Sequence, residues 1–200
     1  SDKFLTHLIF PEFTKRNWLV HNLEEINEAL KQIKTRRVVV KSPYGFGGKT
    51  VEILSKAQCK KLKLTEPTLF QEFIDSSKGI PGIVEGMHDF RVICLGSKMV
   101  TSYVRTPPKG KLLSNWSGGG SLDYIPLKDV PKKVKAITNS VLKRLELLPN
   151  TLYTVDFMYE NGKTPYLIEM NNNPTFQIIP GYEKEATHFY KMFIKHVQKF

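Results

Sequence analysis

Asp156, Glu169 and Asn171 are three oxygen-donor side chains on two neighbouring apolar segments, Tyr153-Thr154-Val155-Asp156-Phe157 and Ile168-Glu169-Met170-Asn171-Asn172-Asn173-Pro174. Leu152 to Tyr159 and Thr164 to Met170 have the composition of strands, and Glu160-Asn161-Gly162-Lys163 between them carries the Asn-Gly pair of a hairpin turn. Pairing across that turn brings Asp156 close to Glu169. Side chains alternate along a strand, so Glu169 and Asn171 share a face, where two carboxylates and an amide oxygen suit a hard cation. Such a set fits magnesium held jointly with phosphates better than a closed calcium cage. Standing alone, the same pattern is more often a hairpin with one wet face.

A second segment offers groups to a polyphosphate. The β-branched run Arg37-Val38-Val39-Val40-Lys41 leads into Ser42-Pro43-Tyr44-Gly45-Phe46-Gly47-Gly48-Lys49-Thr50. A strand ending in lysine, followed by glycine-rich backbone, supplies one cation and several N–H donors. It is not the phosphate loop G-x-x-x-x-G-K-[ST], because Gly45 and Gly48 are too close and a strand follows. By itself a glycine-rich hairpin turn explains it equally simply. A third segment, Thr68-Leu69-Phe70-Gln71-Glu72-Phe73-Ile74-Asp75, presents acceptors at the end of an apolar strand, either to a purine and its ribose or merely to water.

The elements that must position these groups fall into two lobes. In the first, Asp2 to Ile9 is a short helix ended by Pro11, Leu19-Val20 is a strand fragment, and Asn22 caps a helix through about Ile33. Val38 to Lys41, Thr50 to Leu54 and Thr68 to Ile74 form a small sheet, with Ser55 capping a helix through Leu62. Asp75 to Gly86, rich in Ser, Gly and Pro, crosses between the lobes. In the second lobe, Asp89 to Leu95 and Met99 to Arg105 make a hairpin around Gly96-Ser97, and a long polar loop runs from Thr106 to Ser121. Such a loop is commonly functional or disordered. Pro131 opens a helix through about Leu147, the Asp156 hairpin follows, and Tyr182 to Lys199 is a terminal helix. His88, His188 and His196 read as surface histidines, since none has a second histidine at metal spacing.

The order of these pieces carries more than any one of them. The lysine strand, the glycine loop, Gln71-Glu72-Phe73-Ile74, His88-Asp89-Phe90-Arg91-Val92, Arg105 with Asn115 and Gly118-Gly119-Gly120, then Asp156, Glu169 and Asn171, together resemble the ATP-grasp superfamily. The closest likeness is to its glutathione-synthetase-like branch, which includes the ligases that add glutamate to ribosomal protein tails, and it runs from Asp2-Lys3 to Pro174.

The resemblance implies an α+β fold of two subdomains, residues 1–75 and 76–200, clasping ATP. It implies that Lys41 contacts phosphate under a cover formed by Gly45, Gly47 and Gly48. Glu72, Phe73 and Ile74 would line the adenine, Asp89 would contact ATP, and Arg91 would face phosphate. Arg105 and Asn115 would close on the reacting end of the nucleotide, with Ser114 beside them. Asp156, Glu169 and Asn171 would hold magnesium, with manganese as the alternative. Two positions depart from the pattern: Leu113 stands where relatives often have an arginine two residues before the asparagine, and Thr154 where some have one two residues before the aspartate. A nearby lysine, Lys109 or Lys111, would not reproduce an arginine's bidentate fork.

Composition narrows the partners. Two hundred residues at 40% hydrophobic content fit one domain or two small lobes. No apolar stretch approaches the ~20 residues of a membrane span and no secretory leader is visible. Cys59 and Cys94 lie in different elements and read as free thiols, so the expected compartment is the cytoplasm. The formal charge of +11 favours anionic partners. Its lysine clusters, Lys60-Lys61-Lys63, Lys109-Lys111 and Lys132-Lys133-Lys135, have little aromatic interleaving and match no common nucleic-acid module, which leaves an acidic peptide or a nucleotide.

The implied activity is a carboxylate–amine ligase working through an acyl phosphate, with small-molecule or peptide substrates. An ATP-dependent kinase with the same clasp and a nucleotide-binding module without catalysis are the alternatives. Full-length relatives carry a substrate domain ahead of this region, so the chain reads as a fragment or a minimal form. Oligomeric state is not legible in the sequence.

Overall fold

The computed structural model describes residues 2–44, 51–112, 120–145, 151–172 and 181–198. Helix α1 (Lys3–Ile9) starts where the Asp2 carboxylate accepts from the backbone N–H groups of Phe4 and Leu5. Strand β1 (Asn17–Val20) leads to α2 (Leu23–Gln32), capped by Asn22, which accepts from the Glu25 N–H at 2.9 Å. Strands β2 (Arg37–Lys41), β3 (Glu52–Ser55) and β4 (Thr68–Glu72) join β1 in an antiparallel sheet of order β1-β4-β2-β3. Ile26, Ala29 and Leu30 of α2 pack on Val20, Val38, Val40 and Phe70 on one face. Helix α3 (Lys56–Cys59) has the Ser55–Gln58 capping box but stops short of the expected Leu62. Leu62 still packs against this core from beyond the helix, so its contact is made without further helical turns.

The second sheet is also antiparallel. It runs β7-β6-β5-β8-β9, with β5 (Asp89–Leu95), β6 (Lys98–Thr106), β7 (Ser121–Tyr124), β8 (Leu152–Glu160) and β9 (Thr164–Asn171). Strand β7 was not legible in the sequence, because Ser-Leu-Asp-Tyr is too short and polar to show a pattern and forms by pairing with Tyr103 to Thr106. Phe90, Val92, Cys94, Val155, Phe157 and Leu167 face Val134, Val141 and Leu142 of α4 (Lys132–Arg144), whose expected end near Leu147 lies outside the described residues. The opposite face changes character along β5: Ile93 and Leu95 lie under Phe189 of α5 (Glu183–Val197), whereas Asp89 and Arg91 stand at the other end of the strand, mostly buried. Among the described residues no helix is long and apolar enough to cross a membrane.

Two segments stitch the sheets together. Residues 10–17 touch both: Phe10 lies in the larger core, Phe13 O accepts from Leu167 N, Lys15 pairs with Glu160, and Arg16 pairs with Glu72 of β4. The crossing between β4 and β5 is fixed by Asn161 N donating to Asp75 O and by His88. His88 corrects the sequence reading, for it is wholly buried. Its Nδ1 lies 3.0 Å from Gly86 O and its Nε2 accepts from the Tyr159 N–H at 3.3 Å, so one neutral ring ties the crossing to β8. Burial lowers its affinity for a second proton.

Candidate functional site

The end of the larger sheet beyond α5 carries a largely buried charged cluster built by register. Asp89 pairs with Arg105, and Arg91 pairs with both Tyr103 and Asp156, so all five side chains leave the sheet on one side. Arg91 grips Asp156 in a fork, Nε to Oδ1 at 2.7 Å and Nη2 to Oδ2 at 2.5 Å. Arg105 Nη2 reaches Asp89 Oδ2 at 2.5 Å and Asp156 Oδ2 at 3.4 Å. Tyr103 lies beside Arg91, its hydroxyl 3.4 Å from Nη1. Burial alone would push protons off both arginines, and the two aspartates reverse this, so the guanidinium forms are held firmly. Burial pushes Asp89 up to about 6 although Arg105 pulls it down.

Asp156 and Glu169 stand directly opposite each other, and Thr154 stands opposite Asn171. The register shifts between Asp156 and Phe157, which pairs with Leu167, leaving Ile168 as the extra residue of a bulge in β9. Leu167 is buried in the core on one side, while Glu169 emerges on the other. Glu169 is met by Lys3 of α1, Nζ to Oε1 at 3.7 Å.

Lys3 has no role in the sequence reading. Its signal is a lysine in the first turn of a helix, against the macrodipole, which is favourable only where anions face it.

The donor set fits magnesium. Two carboxylates and an amide share one face, and among the described residues no three His, Cys, Asp or Glu side chains gather into a metal-holding group. Such a set needs further oxygens from a ligand, as magnesium held with phosphates does. Asp89 Oδ1, Arg105 Nε and Thr154 Oγ1 are buried without a hydrogen-bond partner among the described residues, so this face retains polar atoms for a polar ligand.

The smaller sheet turns the face opposite α2 to the same region. Lys41 at the end of β2 is buried and donates to Gln71 Oε1 at 2.7 Å. Lys3 N donates to Pro43 O at 3.0 Å, two residues beyond Lys41, and Lys3 Nζ lies 3.7 Å from Glu169 Oε1, so α1 joins the end of β2 to Glu169. Burial lowers Lys41 to about 8, with Glu169 opposing the change and Lys3 adding to it.

Glu72 is placed differently. Its carboxylate accepts from Arg16 Nη2 at 2.7 Å and from the Lys34 N–H at 2.8 Å, on the face away from Lys41. Phe73 is half-buried beneath the Arg37 guanidinium and Ile74 is buried, both just beyond β4. The structure therefore gathers Lys41, Asp89, Arg91, Arg105, Asp156, Glu169 and Asn171, while the Glu72 side chain serves the junction. Gly45, Gly47, Gly48, Ser114 and Asn115 lie outside the described residues.

Comparison with known proteins joins this arrangement to a lineage. The sequence model of the RimK-like ATP-grasp domain matches residues 4–187. The chain belongs to that family. Beta-citrylglutamate synthase B of Danio rerio is 26% identical over 144 residues, which cover 70% of this chain and 32% of the relative. N-acetylaspartylglutamate synthase A of Homo sapiens is 29% identical over 110 residues, covering 52% of this chain and 26% of that one. The ATP-grasp domain described here thus spans about a third or less of the curated relatives it matches. Among solved structures, D-alanyl-alanine synthetase A from Vibrio cholerae has a TM-score of 0.69 at 13% identity, covering 99% of this chain and 64% of that one. At that identity the likeness is one of fold. The two antiparallel sheets of this chain are those of an ATP-grasp fold.

Proposed function

We propose that this ATP-grasp domain binds ATP with magnesium, manganese being the alternative, and forms carbon–nitrogen bonds between a carboxylate and an amine. The observation that carries the reading is the single charged face on which Asp156 and Glu169 stand opposite each other beside Arg91 and Arg105, with Lys41 approaching from the other sheet. Two lobes, residues 1–75 and 76–200, close on the nucleotide in this reading, the first turn of α1 leaning on Glu169 of the second. The free buried thiols Cys59 and Cys94 suit a reducing compartment, so the proposed location is the cytoplasm.

Asp156, Glu169 and Asn171 would hold the metal, which when bound supplies charge neutralisation at the phosphates. Lys41 and Lys3 would bring cations to the polyphosphate, and the cover role that the resemblance assigns to Gly45, Gly47 and Gly48 falls on residues outside those described. Phe73 and Ile74 line the base, with Glu72 fixing the strand end through Arg16 and Lys34 rather than by touching the ring. Asp89 orients Arg105. Arg91 and Arg105 would face the γ-phosphoryl group, the end to which the family resemblance assigns Asn115 and Ser114, both outside the described residues. A substrate carboxylate oxygen attacks the γ-phosphorus, the bond to the bridging oxygen of ADP breaks, and an amine nitrogen then attacks the acyl carbon and expels phosphate. Such transfer relies on positioning and charge rather than on a side-chain nucleophile, which suits a face of arginines and carboxylates.

The names of the two curated relatives point to glutamate as the amine and to citrate or N-acetylaspartate as acids worth testing first. The test is product analysis with ATP, magnesium, glutamate and each acid or an acidic peptide. Equal release of ADP and phosphate, with a hydroxamate when hydroxylamine replaces the amine, is the expected result. AMP and pyrophosphate would refute the mechanism, and a stable phosphorylated product would replace the ligase by a kinase.

A further inference from the structure

Lys41 and Gln71 are neighbours across two strands of the smaller sheet. Lys41 pairs with Leu69 and Gln71 pairs with Val39, so both side chains leave the same face, opposite the one on which α2 packs. Gln71 Oε1 accepts from Lys41 Nζ at 2.7 Å, and the residues are only 4% and 7% exposed respectively. The charged groups acting on this ammonium from other elements are Glu169 of β9, already bonded to Lys3, and Lys3 of α1 itself. A buried ammonium without an acceptor loses both its direction and its hold on the proton. A carboxylate in place of Gln71 would supply both, but it would also cancel the charge that a phosphate must find. An amide oxygen gives direction and a partial negative charge while leaving the cation uncompensated.

We propose that Gln71 is a positioning residue, which aims the Lys41 ammonium and leaves its positive charge available to the phosphates of a bound nucleotide. This rests on the reading of Lys41 as a phosphate contact and adds the residue that makes the contact effective. Gln71 acts through Lys41, not by touching the phosphates.

The experiment is a calorimetric double-mutant cycle, with ATP and magnesium titrated into the parent, Lys41→Met, Gln71→Met, the double variant and Gln71→Glu. Circular dichroism confirms the fold of each, and glutamine to methionine nearly conserves volume. Gln71→Met is expected to weaken binding about tenfold, the scale of a hydrogen bond to a charged group. In the Lys41→Met background the same change should cost nothing further. Repeated between about pH 6.5 and 9.5, affinity in the parent should fall as pH rises through about 8. That fall should move to lower pH in Gln71→Met and to higher pH in Gln71→Glu. A merely structural glutamine would weaken binding without moving the profile.

Additive losses in the double variant would overturn the proposal and make Gln71 a direct nucleotide contact. An unmoved pH profile would overturn it as well. Weakening in Lys41→Met with none in Gln71→Met would overturn it while leaving the phosphate reading intact, whereas parent-like binding by Lys41→Met would overturn both.

Discussion

Glu169 faces Asp156 because Ile168 is an extra residue in β9: Phe157 pairs with Leu167, and the next pair along is Asp156 with Glu169. In a strand without the bulge, Leu167 and Glu169 would point to the same side, and Leu167 is buried in the core under α4. The bulge separates the two requirements, one apolar and one anionic, over two residues. Deleting Ile168 would make β9 regular, with Leu167 still opposite Phe157 and Glu169 still opposite Asp156 on the other face, so magnesium-dependent ATP binding is expected to persist, whereas Glu169→Ala should weaken it about tenfold or more, as loss of a charged ligand contact does. Calorimetry with ATP in the presence and absence of magnesium checks both. Equal binding by the parent and Glu169→Ala would reduce the motif to a hairpin.

Lys41→Ala should raise the dissociation constant of ATP by about tenfold or more. The pH dependence has a definite sign. Burial lowers Lys41 to about 8, so the cation is lost from the folded protein as pH rises through that value. Phosphate binding weakens over the same interval. Stability moves the other way, because above about 8 the unfolded chain binds the proton that the folded chain has released, and the cost of the buried charge is relieved. Parallel titrations of affinity and of urea midpoint separate the two trends.

Arg105 bridges Asp89 and Asp156, so its removal touches reaction and structure together. Arg105→Lys keeps one charge and loses the planar guanidinium, and it should lower turnover far more than ATP affinity, since charge at the transferring phosphoryl group develops mainly in the transition state. Arg105→Ala in addition strands Asp89 in a buried place and should destabilise the fold by about 3–5 kcal/mol. Adding Asp89→Asn to Arg105→Ala should recover part of that stability without recovering turnover. A loss confined to affinity would make Arg105 a ground-state clamp.

His88 should make the crossing between the sheets sensitive to acid. Its folded form is held neutral by burial and its Nε2 accepts from Tyr159 N–H, so its ordinary affinity for a proton is expressed only in the unfolded chain. The stability it contributes is complete above its unfolded value of about 6.5 and declines as pH falls below that. Denaturation midpoints should decline over this range in the parent and less steeply in His88→Gln. Parallel slopes for the two proteins would assign the acid sensitivity to other groups.

The sequence by itself determined most of the elements and which charged residues stand on which strand. Asn22 and Ser55 cap the helices they precede, and Asn161 and Gly162 turn the last hairpin with positive φ at both positions. Alternation in Asp89-Phe90-Arg91-Val92 gives one apolar and one charged side, and short-range rules of this kind act between residues close in the chain. The tertiary structure decided which of these groups meet. Strand β7 exists only because β6 offers it an edge. His88 is buried by a crossing whose path local pattern does not specify, and Glu72 is claimed by Arg16 from a distant segment. Lys3 reaches Glu169 because residues 10–17 bind both sheets and lay α1 along β9. A bulge costs and gains little locally, so its position is set by the packing of Leu167 on one side and the charges around Asp156 on the other.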